Sequence, residues 1–168
     1  MPASNQIGRS GAPRFSAVAI CAGLSAMLLV PLVSLPAAFA GGAEIGQVKT
    51  ASGQTFIVRG GVSTPAKVGD LVQEKDTIET GADGAIGITF IDNTVFSAGP
   101  NSQVAMEEYA FDSSNFKGAM TADVNRGTLS VVSGDIARST PGAMKIKTPT
   151  AILGVRGTIF AVQVGSGK

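Results

Sequence analysis

Histidine and tryptophan do not occur in this sequence, and tyrosine and cysteine occur once each. Without histidine the chain lacks the side chain whose ordinary pKa lies nearest neutrality, so the usual general base and the commonest zinc ligand are both missing. The single cysteine, Cys21, sits inside an apolar N-terminal run. If that run is removed on export, the working chain has neither a thiol nucleophile nor a disulfide. Ser-His-Asp and Cys-His catalysis are therefore excluded. Carboxylate pairs of the kind that hydrolyse glycosides remain available in principle, with Asp70, Asp76, Asp83 and Asp92 spread through the turns. Turn aspartates more commonly accept hydrogen bonds from nearby backbone amides, and that reading is preferred. The expectation is a protein that is not an enzyme.

Charge is missing from one long segment. Arg9 and Arg14 precede a stretch from Phe15 to Ala43 with no charged residue, densest in apolar side chains from Ala17 to Val30. A positive start followed by an apolar run is the layout of a secretory signal peptide. Pro31 and Pro36 interrupt any helix before Ala38-Phe39-Ala40, a small-residue cleavage signal. We expect residues 1–40 to be a signal peptide, with Ala38 and Ala40 the cleavage residues. The rival reading is an uncleaved anchor, because the run through Leu35 approaches the roughly 20 residues that span a bilayer. The prolines and the cleavage signal favour removal, leaving no stable membrane span. Twin arginines are absent, which points to the general secretory route. Cys21 follows Ile20 deep in the run, which is the wrong context for lipidation. The expected location is periplasmic or extracellular.

Loss of Arg9 and Arg14 leaves eleven basic residues against all twelve acidic ones, a balance that offers no electrostatic capture of nucleic acid. Residues 41–168 are the size of one ordinary domain. Their apolar residues come in short β-branched runs between turn clusters, and helical spacing is almost absent, so the domain reads as all-β. Ile45–Val48 and Thr55–Val58, either side of Ser52-Gly53, read as an opening pair of strands. Ile86, Ile88 and Phe90 alternate before Asp92-Asn93, and Thr94–Ala98 follows, which predicts a tight hairpin. Val104, Met106 and Tyr109 mark the next strand, and residues 111–120 are expected to form an exposed loop or wide turn. Thr128–Val132, Ala143–Lys147 and a run from Ile152 to Val164 complete the set. Turn signals every eight to twelve residues or so fit a sandwich, a barrel or a short solenoid.

Three stretches in order carry a family resemblance. They are Val68-Gly69-Asp70-Leu71 with Asp76-Thr77-Ile78-Glu79-Thr80; then Gly84 to Thr94, containing Asp92-Asn93-Thr94; then Thr148-Pro149 through Gly154-Val155-Arg156-Gly157-Thr158-Ile159-Phe160 to Val162. Together they resemble the FecR domain, and the last stretch is the most specific. The resemblance implies an all-β extracytoplasmic domain. It also implies that Gly69, Asp70, Asp76, Asp92, Thr148, Pro149, Gly154, Arg156, Gly157, Thr158 and Phe160 serve as structural or interaction positions. Name-giving members sense an outer-membrane iron-siderophore receptor and signal to a cytoplasmic sigma factor. Only residues 1–14 precede the apolar run here, too few for a sigma-binding domain, so that role is not expected to come with the fold. The chain stops at Lys168 soon after a strand beyond which family members commonly continue, so a fragment or a short version is expected.

Arg156 stands out because a guanidinium in an apolar strand must pair or reach water. We expect it to bind a turn carboxylate or backbone carbonyls and lock the last strand, with Gly154 and Gly157 permitting close backbone approach and Phe160 in the core. The acidic turns lack the spacing of an EF-hand or a calcium-binding β-roll. Gly165-Ser166-Gly167-Lys168 lacks the hydroxyl residue and helix of a phosphate loop. No cofactor or metal is expected. The sequence thus points to a periplasmic interaction, sensing or regulatory module with an envelope or outer-membrane protein partner. The alternative is a structural or self-associating cell-surface β protein.

Overall fold

The computed structural model describes residues 42–157 and 159–165. The expected signal peptide with Ala38 and Ala40, and also Thr158, lie outside the described residues. Twelve strands and one short helix make up the described part. They are β1 (Glu44–Ser52), β2 (Thr55–Arg59), β3 (Val62–Pro65), β4 (Leu71–Gln73), β5 (Thr77–Thr80), β6 (Ala85–Phe90), β7 (Val95–Ala98), β8 (Gln103–Asp112), β9 (Lys117–Val132), α1 (Asp135–Ser139), β10 (Met144–Thr148), β11 (Ala151–Val155) and β12 (Ile159–Val164). The all-β reading holds.

The period-2 pattern decides which face each strand buries. In β6 the alternating Ile86, Ile88 and Phe90 are all buried, and β7 returns antiparallel with Phe96 opposite Ile88 and Ala98 opposite Ile86. This is the hairpin that the sequence predicts, closed by the Phe90 N–H to Thr94 carbonyl bond at 2.9 Å. Val104 and Met106 of β8 also point inward. The register against β9 then shifts between Met106 and Glu108. That bulge moves the inward phase by one residue, which exposes both Glu107 and Glu108 and brings Tyr109 back into the core.

The strands form one continuous sheet that folds over itself into two layers. One layer runs β3-β2-β5-β8-β9-β10-β11 and the other β4-β1-β6-β7-β9-β12, with β9 common to both. Neighbours are antiparallel except β9 and β10, which are parallel and joined through α1. Residues Met120, Ala122 and Val124 of β9 face the core from one layer, and Leu129 and Val131 face it from the other. The change from even to odd positions occurs at Gly127, which has φ +88. A Cβ on Gly127 would stand 2.3 Å from Ser102 Oγ and 2.4 Å from its Cα. Glycine alone fits both the left-handed backbone and the close approach.

Between the layers, Ile78, Val104 and Met106 face Ile86, Ile88, Phe96, Ala98 and Leu129, leaving a gap of only about 10 Å³, about one water-sized probe. Phe90 meets Phe96 edge-on at 4.9 Å and stacks on Tyr109 of the opposite layer at 5.7 Å. The interior is closed packing with no room for an internal ligand there.

Three sequence expectations need correction. β1 and β2 are not a hairpin pair: β1 pairs with β4 and β6, and β2 with β3 and β5. The Ser52-Gly53 turn therefore carries the chain from one layer to the other. Residues 111–120 are largely strand, since β8 runs to Asp112 and β9 starts at Lys117. The exposed turn is confined to 113–116, where Asp112 accepts from the Ser114 N–H at 2.9 Å and Asn115 Nδ2 at 2.6 Å. The run from Ile152 to Val164 is two strands in different layers, broken at Arg156-Gly157. The helix α1, too short to leave a periodic signal, seals one end by burying Ile136 and Ala137.

Candidate functional site

Asp76 immediately precedes β5 and is fully buried. A buried carboxylate needs a cation or several donors, and the fold brings both. Arg59 at the end of β2 donates from Nε to Oδ1 at 2.8 Å and from Nη2 to Oδ2 at 2.7 Å, a two-point ion pair. Arg59 Nη2 also reaches the Leu71 carbonyl at 3.0 Å, and the Gln73 N–H donates to Asp76 Oδ2 at 2.8 Å. The Asp76 carbonyl accepts from Met106 N–H at 2.9 Å, while Lys75 N–H bonds the Met106 carbonyl at 2.8 Å. The carboxylate thus ties β2 to the β4–β5 turn, while the main chain of Lys75 and Asp76 ties that turn to β8. The hydrogen bonds that Arg59 donates to Asp76 raise its pKa above the ordinary value.

Asp92 lies in the β6–β7 turn, also fully buried, and its donors carry no formal charge. Tyr109 Oη donates to Oδ1 at 3.0 Å, Thr94 Oγ1 donates to Oδ2 at 2.6 Å, and the Thr94 N–H reaches Oδ1 at 3.2 Å. The Asp92 N–H donates back to Tyr109 Oη at 3.1 Å. Thr94 Oγ1 accepts from Gly134 N–H at 3.0 Å, and the Asp92 carbonyl accepts from Asp135 N–H at 2.8 Å. The Asp92-Asn93-Thr94 turn is therefore the socket into which the start of α1 docks. Burial, followed by the Asp92 charge, pushes the Tyr109 pKa well above its ordinary value.

The remaining acidic turns behave in the same local manner. Asp70 accepts from the Lys67 N–H at 2.8 Å beside Gly69, and Asp83 accepts from the Gln54 N–H at 3.3 Å. Gly69 itself sits in a turn whose N–H bonds the Val48 carbonyl at 2.9 Å. Asp70, Asp76, Asp83 and Asp92 all accept from backbone N–H groups and belong to separate turns. Among the described residues no three His, Cys, Asp or Glu side chains gather into a metal-binding group.

The third motif stretch is the exposed one. Thr148 and Pro149 form the β10–β11 turn, in which Thr148 Oγ1 donates to the Ala151 carbonyl at 3.1 Å and accepts its N–H at 3.0 Å. Gly154 permits no close approach, because a Cβ there would meet nothing within 4 Å. Gly157 is needed for another reason, its φ of +51 at the break between β11 and β12. Arg156 is exposed, with no side-chain hydrogen bond or ion pair among the described residues, so it reaches water instead of the expected carboxylate. Phe160 is half-buried against the core. The structure therefore separates the motif residues into two internal struts and one surface element.

The family model for FecR protein matches residues 76–168, more than half of the chain, and it takes in both buried carboxylates and the β10–β12 region. The chain belongs to the FecR family. This family is generally regulatory and non-catalytic, and FecR domains are generally periplasmic. The match begins at Asp76, so the Val68–Leu71 stretch lies outside it. No curated protein and no solved structure matches the chain. Among the described residues no helix is long and apolar enough to cross a membrane.

Sequence reasoning missed the partners of the two buried FecR carboxylates. Arg59 stands 17 residues before Asp76, and Tyr109 stands 17 residues after Asp92. A charged residue closing an apolar strand, as Arg59 closes β2, and the sole tyrosine were the available signals.

Proposed function

We propose that this chain is an exported, non-enzymatic FecR-domain protein that works in the periplasm as an interaction, sensing or regulatory module, with an envelope or outer-membrane protein as its partner. The observation that carries the reading is the placement of Asp76 and Asp92. Both are fully buried and their oxygens already accept hydrogen bonds from the fold itself, so they act as struts. What remains on the surface of the FecR motif is a β-edge with Arg156. Surfaces of this kind recognise other chains by backbone pairing and side-chain fit.

The test is cell fractionation followed by cross-linking in the intact envelope and recovery of the tagged chain. The expected result is a processed protein in the periplasmic fraction with a discrete cross-linked partner. A protein retained in the cytosol, or one that recovers nothing above an untagged control, contradicts the proposal. A second reading, self-association at the cell surface, is favoured by the uncharged edge strand β11. Sedimentation over a dilution series separates the two, since a monomer at every concentration removes self-association.

A further inference from the structure

β3 and β11 end one layer and β4 and β12 end the other. Natural edge strands carry protection against unwanted pairing, such as proline, extreme shortness, bulges or charge. β3 ends in Pro65, which has no N–H to offer, and β4 is three residues long. β11 and β12 have none of these devices, and of the two β11 exposes two large apolar side chains, Ile152 and Leu153, where β12 exposes Ile159 alone. Ala151-Ile152-Leu153-Gly154-Val155 carries no charge and no proline, and it pairs with β10 through five consecutive residues without a register shift. Among the described residues it has no strand on its other side. Ile152 is 67% exposed and Leu153 40%, so apolar side chains reach solvent from both faces of the strand.

The unpaired charge beside this edge is basic. Lys145 lies opposite Gly154 and is exposed, Arg156 directly follows β11, and a Cβ on Gly157 would lie 3.7 Å from Arg138 Cγ. Arg138 is ion-paired with Asp135 at 3.8 Å. The nearby Lys147 is already paired with Glu107. Lys145 and Arg156, which have no ion pair among the described residues, therefore form an uncompensated basic pair at the C-terminal end of an apolar edge.

We infer that β11 is the docking edge for an extended segment of a partner protein, one with apolar side chains at alternate positions and a carboxylate at the end that lies beside Arg156. This deepens the interaction reading above and rests on it. Backbone pairing along β11 supplies affinity, apolar side chains cover Ile152 and Leu153, and the carboxylate meets the basic group and fixes strand direction. A second copy of this chain fits less well. Residues 148–157 contain no acidic side chain, so pairing β11 with itself leaves the cations unmatched.

The experiment selects short random peptides by display on the purified full chain, then compares binding to wild type, Ile152→Lys, Arg156→Glu and the remote control Lys67→Glu, each checked for an unchanged circular dichroism spectrum. The expected peptides alternate apolar residues and carry Asp or Glu toward one end. They lose roughly tenfold or more in affinity with either edge variant and none with the control. Peptides that bind the edge variants as well as wild type overturn the docking edge but leave the interaction reading standing through another surface. A selection that enriches nothing counts against both. Self-association of the wild type that Ile152→Lys abolishes overturns the partner assignment in favour of a second copy.

Discussion

Tyr109, the only tyrosine in the chain, donates its hydroxyl to Asp92 Oδ1 at 3.0 Å and accepts the Asp92 N–H at 3.1 Å. The phenol joins the β6–β7 turn to β8 across the interior, and both its burial and the neighbouring carboxylate disfavour the phenolate. Since no other tyrosine is present, phenolate absorbance reports this one group. The native chain is expected to resist ionisation well above the ordinary value of 10.0. A native-state titration near that value would contradict the strut.

The same group sets an alkaline limit. Its folded pKa is raised, so the unfolded state loses the proton first and binds fewer protons above the ordinary value. The stabilisation is fully present below pH 10.0 and declines as pH rises from there toward the folded pKa. Tyr109→Phe should cost about 1–3 kcal/mol at neutral pH, because it removes a buried donor from Asp92. Urea unfolding of both proteins should show that gap narrowing above the ordinary tyrosine value, whereas a gap independent of pH would contradict the linkage.

Arg59→Ala leaves the Asp76 carboxylate buried with the Gln73 N–H as its only remaining side-chain-directed donor. Breaking one side of a buried pair is costly, and the partial exposure of Arg59 lets water recover some of that. We expect a loss of about 2–3 kcal/mol in urea unfolding. Arg59→Lys should recover only part of it, since an ammonium cannot make the two-point contact.

Lys75 holds φ at 70° directly before Asp76, a backbone region that costs a residue with a Cβ roughly 1–2 kcal/mol. Its side chain is exposed. Lys75→Gly should therefore stabilise the protein by about 0.5–1 kcal/mol, once the greater freedom of glycine in the unfolded chain is discounted. A lower midpoint in thermal unfolding would contradict this.

Gly127→Val combines a disfavoured φ of +88 with contact against Ser102 main chain. The substitution strikes the one strand common to both layers, and a loss of about 3 kcal/mol or more is expected. Near-native stability would mean that β9 does not bend there as described.

The sequence made the β6–β7 hairpin legible because Ile86, Ile88 and Phe90 alternate without interruption up to a turn with asparagine. It hid the pairing of β1 and β2, because a Ser52-Gly53 turn looks the same whether it closes a hairpin or crosses between layers. It hid the division of residues 152–164 as well, since Arg156-Gly157 reads as part of an apolar run until the φ of Gly157 is known. The FecR motif positions were visible as a pattern, but their roles were not. Asp76 and Asp92 are held inside by Arg59 and Tyr109, partners fixed only by long-range strand order, while Arg156 lies at the surface. Burial separates these roles, and burial is a property of the assembled sheet.

The docking role proposed for β11 is tested most directly by placing a photo-cross-linking amino acid at position 152 in the full-length protein, with position 67 as control, and irradiating intact cells. The expected outcome is a discrete adduct with a second envelope protein from position 152 that is absent from position 67 and lost when Arg156→Glu is added. The same adducts from both positions, or none from position 152, would contradict the account.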